Sequence, residues 1–189
     1  LFRSDTDFMR NHIDYVKGEK YNFIAVVNSA NAYLKEAWMG TNSSGFALMN
    51  TQSYNLVDVK GDEERGAANG RVIYRALEVC ATVEDFCHFL DTISKPSDIE
   101  ANFGVIDAQG GAAMFEVDYY KYVMYDANNP KDAPYGYIAR TNFSFAGKVN
   151  EGAGYVRYME ADQVLMKASA TGSITPQFIF NDLSRSFRN

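Results

Sequence analysis

The chain has 189 residues, 47% hydrophobic and 14% aromatic, enough to bury one sizeable core, so the sequence predicts a single domain over residues 1–189. A formal net charge of −6 without a basic stripe argues against nucleic acid as a partner. No apolar run approaches a membrane span, so no membrane partner is expected. Residues 1–20 carry charges throughout and contain no signal peptide; the compartment stays open between cytoplasm and, if a leader was removed, periplasm or secretion.

Strand-like and helix-like segments alternate in blocks along the chain. In chain order, the predicted elements are strands over Tyr21–Asn28, Ala37–Met39 and Phe46–Met49, helices over Arg71–Cys80 and from a capping box at Thr82–Asp85 to about Ile93, strands within 102–125 and over 135–141, a helix around Tyr155–Ala168, and a last helix that starts at Thr175-Pro176 and carries Ser184 and Arg185. This order predicts an α+β domain in which helices pack on an antiparallel sheet.

The segment from 102 to 145 carries the strongest functional signal. Two apolar runs flank Asp107–Gly111, which predicts a hairpin whose glycine supplies the positive φ of a tight turn. The strand predicted over 135–141 then ends on Asn142, which is followed by Phe143. An amide in this position can donate to a developing oxyanion, although the simpler alternative is that Asn142 hydrogen-bonds a turn.

The two cysteines are predicted to be small buried hydrophobes. Cys80 continues the apolar stripe of the first predicted helix, and Cys87 lies among apolar residues of the second. A catalytic pair of Cys87 with His88 is not expected, because neighbours on a helix point about 100° apart. Two cysteines and two histidines also make a poor metal site.

Four segments resemble one known family, and together they span most of the chain. Trp38–Asn50 resembles a Gly-x-Asn-x-x-Gly element that ends in asparagine, Asn102–Val117 a family hairpin, Arg140–Phe143 a Thr-Asn element and Leu183–Arg185 a Ser-Arg element. The family is that of acyl-CoA:6-aminopenicillanic acid acyltransferases, which are N-terminal-nucleophile (Ntn) hydrolases related to choloylglycine hydrolase and penicillin V acylase. The resemblance implies an Ntn-hydrolase-like four-layer αββα sandwich, of which this chain supplies most of one sheet and part of another.

The resemblance also implies a mechanism. An N-terminal cysteine attacks an amide carbonyl with its own α-amino group as the base, and the acyl-enzyme is resolved by water or an amine. Asn142 then matches the oxyanion donor, and Asn50 matches a position lining the site. Arg185 matches the arginine that orders the charge network; a surface arginine is the alternative.

The first residues match a further element of the family. Arg3 matches the basic residue beside the thiolate. Asp5, with Asp7 as the second choice, matches the aspartate that holds the α-amino group. A charged chain terminus without a catalytic role is the alternative for this segment.

The chain departs from the family at its start, where residue 1 is Leu and no nucleophile is present. We therefore expect a domain truncated at both ends, whose nucleophile lies on preceding sequence. The expected partner is a small-molecule amide; no metal or organic cofactor is required, and a homo-oligomer is expected from the relatives.

Two other functions stay open. A catalytically inactive relative could bind an acylated small molecule in a pocket built from aromatic side chains such as Tyr54, Phe143, Phe145 and Tyr119. Alternatively, an unrelated α+β domain could serve as a structural or interaction module, with its asparagines as turn residues.

Overall fold

The computed structural model describes residues 11–28, 34–56, 68–148 and 151–185. Its strands form a seven-stranded antiparallel sheet in which each strand pairs with the next along the chain. The strands are β1 (Asn11–Val16), β2 (Phe23–Asn28), β3 (Ala37–Asn42), β4 (Ala47–Gln52), β5 (Ala101–Ile106), β6 (Ala112–Val117) and β7 (Tyr122–Asp126). The predicted α+β class is confirmed, and the second sheet of the expected sandwich is not among the described residues.

The described residues include four α-helices, two of which begin at side-chain caps that the sequence predicts. They are α1 (Asn69–Val79), α2 (Val83–Thr92), α3 (Gly152–Ala170) and α4 (Pro176–Asn181). The capping box predicted at Thr82 is present, with reciprocal hydrogen bonds to Asp85, and Thr175 caps α4 ahead of Pro176. No helix in the described ranges has both the length and the apolar character needed to cross a membrane.

The core lies between one face of the sheet and helices α1 and α2. Phe86 of α2 stands at its centre, with its ring 5.8 Å from that of Phe103 on β5 and 5.0 Å from that of Phe115 on β6, both edge-on. Residues at alternate positions of β2, β4, β5 and β6 supply the rest of this face, because side chains on a strand point alternately to opposite faces.

Asn42 ties the β3–β4 turn to the end of α1. Its side-chain amide donates to the carbonyls of Leu77 (2.9 Å) and Cys80 (2.7 Å), which α1 leaves without helical partners. Its oxygen accepts from the main-chain N–H groups of Ser44 and Phe46, both at 3.1 Å. The asparagine of the Gly-x-Asn-x-x-Gly element is therefore a buried structural residue.

The β5–β6 hairpin has the predicted glycine turn, with Gly110 at φ +92°. Asp107 at its start accepts hydrogen bonds from the main-chain N–H groups of Gln109 (2.8 Å), Gly111 (2.9 Å) and, across the chain, Val83 at the first turn of α2 (2.9 Å). These donors, the Val83 N–H first, lower the pKa of the Asp107 carboxyl.

Asp107→Asn is therefore expected to lower the unfolding free energy by about 1–2 kcal/mol at neutral pH, the carboxylate being largely solvated. Because the pKa of Asp107 is lower in the folded than in the unfolded protein, its carboxylate stabilises the fold when the pH is above the unfolded pKa, about 3.9. This stabilisation is lost as the pH falls through the folded pKa. Urea unfolding of both proteins should thus give stabilities that converge below about pH 4. A difference that persists at low pH would show that the charge is not what matters.

Two sequence expectations about the fold are wrong, and one strand was not predicted. Residues 135–141 do not form a strand: Pro134 has no N–H to donate, Gly136 has φ +74°, and the Tyr137 hydroxyl donates to Asp162 of α3 at 2.6 Å. β1 was missed because its side chains are exposed and carry no burial pattern. The last helix ends at Asn181, and the predicted Ser184 and Arg185 lie in a short 3₁₀ helix over Leu183–Arg185.

Candidate active site

The face of the sheet opposite α1 and α2 carries a long apolar groove of about 500 Å³. Several of its large side chains are strongly exposed, including those of Ile24, Met39, Met49 and Ile106. The apolar groove is lined mainly by β2 to β6, with Ile138 at one side: its residues are Ile13, Ile24, Ala25, Val26, Met39, Gly40, Thr41, Ala47, Leu48, Met49, Gly104, Val105, Ile106, Ala112, Ala113, Met114, Ala127 and Ile138.

Along three adjacent strands, the same face changes from apolar to polar. Thr51 follows Met49 on β4, and the pairing partners of these strands place Asn102 and Glu116 beside it on β5 and β6. The segment 139–146 lies against these three side chains. We call the three side chains together with this segment the polar corner.

Thr51 and Asn102 hold the main chain of the polar corner. The Thr51 hydroxyl donates to the carbonyl of Thr141 at 2.5 Å. The Asn102 side-chain amide donates to the same carbonyl at 2.9 Å and to that of Phe143 at 3.1 Å. The carbonyls on either side of residue 142 are thereby fixed to the sheet.

Ser144 adds a second anchor. Its hydroxyl lies 2.5 Å from Asn102 Oδ1 and 2.8 Å from the hydroxyl of Ser53, all buried. The side chain of Asn55 bonds both main-chain groups of Ser144, accepting from its N–H and donating to its carbonyl at 3.0 Å each. The segment is thus bonded to the sheet end much as a further strand would be, but through side chains.

Glu116 and Arg140 form a buried ion pair beneath the segment, with 0% and 3% of their side chains exposed. The Glu116 carboxylate accepts from Arg140 Nε (2.5 Å) and from the main-chain N–H groups of Phe145 (2.9 Å) and Ala146 (2.7 Å). The guanidinium carbon lies 3.8 Å from the ring centre of Phe145 and 4.6 Å from that of Tyr125. Each buried charge therefore has partners within the protein.

Asn142 lies half-buried in the polar corner, with both ends of its carboxamide engaged. Nδ2 donates to the carbonyl of Gln52 at 2.7 Å, and Oδ1 accepts from Arg157 Nη2 of α3 at 2.6 Å. Nδ2 carries two hydrogens, so one remains to donate elsewhere. Gln52 is three residues beyond the groove residue Met49, about 10 Å along the strand.

The other candidate residues are distributed as follows. Asn50 precedes Thr51 on β4, so its side chain points to the opposite face of the sheet, the face that the helices cover and that its pairing partner Phe103 also occupies. The side chains of Asn50 and Asn142 therefore do not lie side by side. Phe143 is 3% exposed and packs on Tyr155, with ring centres 5.0 Å apart; it belongs to a small core and does not line the apolar groove. Tyr54 is 56% exposed.

Arg185 is exposed, and within the described part of the chain no hydrogen bond or ion pair links it to Asn142. Arg3, Asp5 and Asp7 lie outside the described residues. Their proposed roles stay predictions.

The prediction of buried cysteines is confirmed for Cys80 and only in part for Cys87. Cys80 is buried, which raises the pKa of its thiol to about 12. Cys87 is half-buried, with Sγ 3.7 Å from the sulfur of Met124, and burial raises its pKa too. His88 is exposed and makes no dyad with it. Over residues 11–28, 34–56, 68–148 and 151–185, no cluster of three or more histidine, cysteine and acidic side chains suits a metal ion.

Sequence reasoning missed Asn102, Glu116, Arg140 and Arg157 as members of the site. One signal was available: Glu116 is a charged residue in an otherwise apolar strand, and such residues are rarely buried without a partner. Arg157 gave no signal, since an arginine on a helix is normally solvated.

The fold and the site define an α+β protein in which an antiparallel sheet presents an apolar groove beside a constrained asparagine. Residues 5–164 match the family model described as acyl-coenzyme A:6-aminopenicillanic acid acyl-transferase. The chain belongs to this family, which confirms the resemblance stated from the motifs and, with it, the Ntn-hydrolase class.

The chain is similar to penicillin V acylase from Agrobacterium tumefaciens (16% identity, 88% of this chain and 60% of that one, TM-score 0.46). It is also similar to a variant of conjugated bile acid hydrolase from Clostridium perfringens (13% identity, 93% of this chain and 68% of that one covered, TM-score 0.49). The chain thus spans 60% and 68% of the lengths of these two proteins. No curated protein sequence matches it.

Proposed function

We propose that the whole protein cleaves the amide bond of an N-acylated small molecule, or transfers its acyl group, through an N-terminal cysteine carried on sequence that precedes this chain. Membership of an acyl-transferase family over residues 5–164 is the observation that supports this most directly. It also argues against an unrelated structural module.

The chemistry requires two steps. The α-amino group takes the thiol proton as the sulfur attacks the amide carbonyl and forms a C–S bond, which gives a tetrahedral intermediate. This intermediate collapses as the C–N bond breaks, and the leaving amine takes the proton from the α-ammonium group. Water or a second amine then attacks the thioester and releases the thiol. The choice between hydrolysis and transfer depends on which of these is better placed.

In this proposal Asn142 uses its second Nδ2 hydrogen to stabilise the oxyanion of each tetrahedral intermediate. The apolar groove takes the acyl chain, because its lining is almost wholly apolar and it lies on the same sheet face as the polar corner. Arg3 and Asp5 would hold the thiolate and the α-amino group.

The test uses the whole natural protein with acetyl, hexanoyl and dodecanoyl para-nitroanilides, penicillin V and a glycine-conjugated bile acid. We expect amine release from at least one acylated compound, with longer acyl chains favoured, and its loss when iodoacetamide labels the N-terminal residue. Cys87→Ala should keep full turnover, because that thiol packs beside Met124 and Tyr122 at the edge of the core, away from the polar corner.

Three results would contradict the proposal. Binding of the acylated compounds without any amine release would identify an inactive relative. Release that survives alkylation of the N-terminal residue would exclude the thiol mechanism. Loss of turnover in Cys87→Ala would place the nucleophile within this chain.

A further inference from the structure

Arg157 forms a hydrogen bond with Asn142, the residue of the polar corner that is proposed as the oxyanion donor. Its Nη2 donates to Asn142 Oδ1 at 2.6 Å from the second turn of α3. We propose that Arg157 is a positioning residue that fixes which way the Asn142 carboxamide faces, an inference that rests on the function proposed above.

The chemistry of the two contacts leaves one orientation. A guanidinium group only donates hydrogen bonds, so the Asn142 atom facing Arg157 must be the oxygen. The Gln52 carbonyl only accepts, so the atom facing it at 2.7 Å must be the nitrogen. Rotating the amide by 180° would set donor against donor and acceptor against acceptor. The direction of the second Nδ2 hydrogen is thereby determined.

The start of α3 is itself docked on residue 142. The Thr141 hydroxyl donates to the carbonyl of Gly154 at 2.6 Å. A Cβ on Gly154 would lie 2.7 Å from the Asn142 carbonyl oxygen, so only glycine permits this approach. Tyr155 and Tyr158 place their rings 5.0 and 5.7 Å from that of Phe143. Arg157 therefore acts from an element whose register against Asn142 is set by main-chain contacts as well as by packing.

Without Arg157, Asn142 keeps its bond to Gln52 but loses the group that holds its oxygen. The carboxamide can then turn about its side-chain bonds, and the free Nδ2 hydrogen no longer points in one direction. The loss should affect the transition state more than substrate binding, because an oxyanion exists only in the transition state and the intermediates.

The experiment compares Arg157→Met and Arg157→Lys in the whole protein, with Arg71→Met on the exposed face of α1 as the matched control. Arg157→Met should lower kcat about ten- to a hundredfold with little change in KM, less than loss of the amide itself costs. Arg157→Lys should recover part of the loss, since an ammonium also donates to Oδ1. Arg71→Met should match the unaltered protein.

A double-mutant cycle isolates the coupling. Since Arg157 acts through Asn142, Arg157→Met should add almost nothing to Asn142→Ala. Fully additive effects, or an unchanged kcat in Arg157→Met while Asn142→Ala is impaired, would overturn the positioning role and leave the proposed function intact.

A readout independent of turnover separates the two proposals. The side-chain amide signals of Asn142 in an NMR spectrum, identified by their loss in Asn142→Ala, should shift and exchange faster with solvent in Arg157→Met than in Arg71→Met. Unchanged signals would overturn the inference even if the protein is an amidase. Changed signals in a protein without amidase activity would support the anchoring and refute the function.

Discussion

Under the function proposed above, Asn142→Ala is expected to lower kcat of the whole protein by about 10²–10³, with KM changed little, because the proposed oxyanion donor is lost. The structure supplies the preorganisation: Nδ2 is held by Gln52, Oδ1 by Arg157, and the flanking carbonyls by Thr51 and Asn102. Steady-state kinetics on the most rapidly cleaved para-nitroanilide measures the effect.

The same substitution also removes two hydrogen bonds, so it should lower the unfolding free energy by about 1–2 kcal/mol. Asn128→Ala is the matched control, because its amide likewise donates to a main-chain carbonyl, that of Gly110 at 2.9 Å, in a turn. The control should lose some stability and keep its kcat. If Asn142→Ala keeps kcat within a few-fold, Asn142 is a turn residue and the oxyanion assignment is wrong.

The local elements of this fold were predictable because their signals are local. The capping box at Thr82, Pro176 at the first turn of α4 and the glycine turn after Asp107 each depend on a few adjacent residues. β1 and the segment 135–141 were mispredicted for opposite reasons. β1 is an edge strand whose short apolar alternation, Ile13 and Tyr15, is exposed, whereas 135–141 is apolar enough for a strand but bonds to α3.

The candidate site could be predicted only in part. Asn142 follows from a short Thr-Asn motif, and the motif resemblance led to the correct family. Its partners are remote in sequence, and nothing in the spacing of Gln52 or Arg157 indicates that they bond the two ends of its carboxamide. Phe143 was expected to line a pocket, yet it packs with tyrosines of α3, since an aromatic side chain is as readily used for the core.

The second large effect, on stability, is expected at Glu116, whose carboxylate holds the main chain of the polar corner. Glu116→Leu should lower the unfolding free energy by about 3–5 kcal/mol, because it leaves a buried guanidinium unpaired. It also removes the acceptor that the main-chain N–H groups of Phe145 and Ala146 share. Urea unfolding measures the change, and Glu160→Leu on the exposed side of α3 is the control, expected to be nearly neutral.

Comparison with Arg140 shows whether the charge or the main-chain bonds matter more. Arg140→Met leaves the carboxylate with its two N–H donors, so it should cost less than Glu116→Leu. The double variant should recover the part of the loss that is due to the unpaired guanidinium, but not the part due to the two N–H groups. If Arg140→Met is the more damaging single change, the segment is held by its cation between Tyr125 and Phe145, and Glu116 is only a counter-ion. If Glu116→Leu is the more damaging change, the Glu116 carboxylate is the group that holds residues 140–146 in place. The position of Asn142 then depends on a residue that does not touch it.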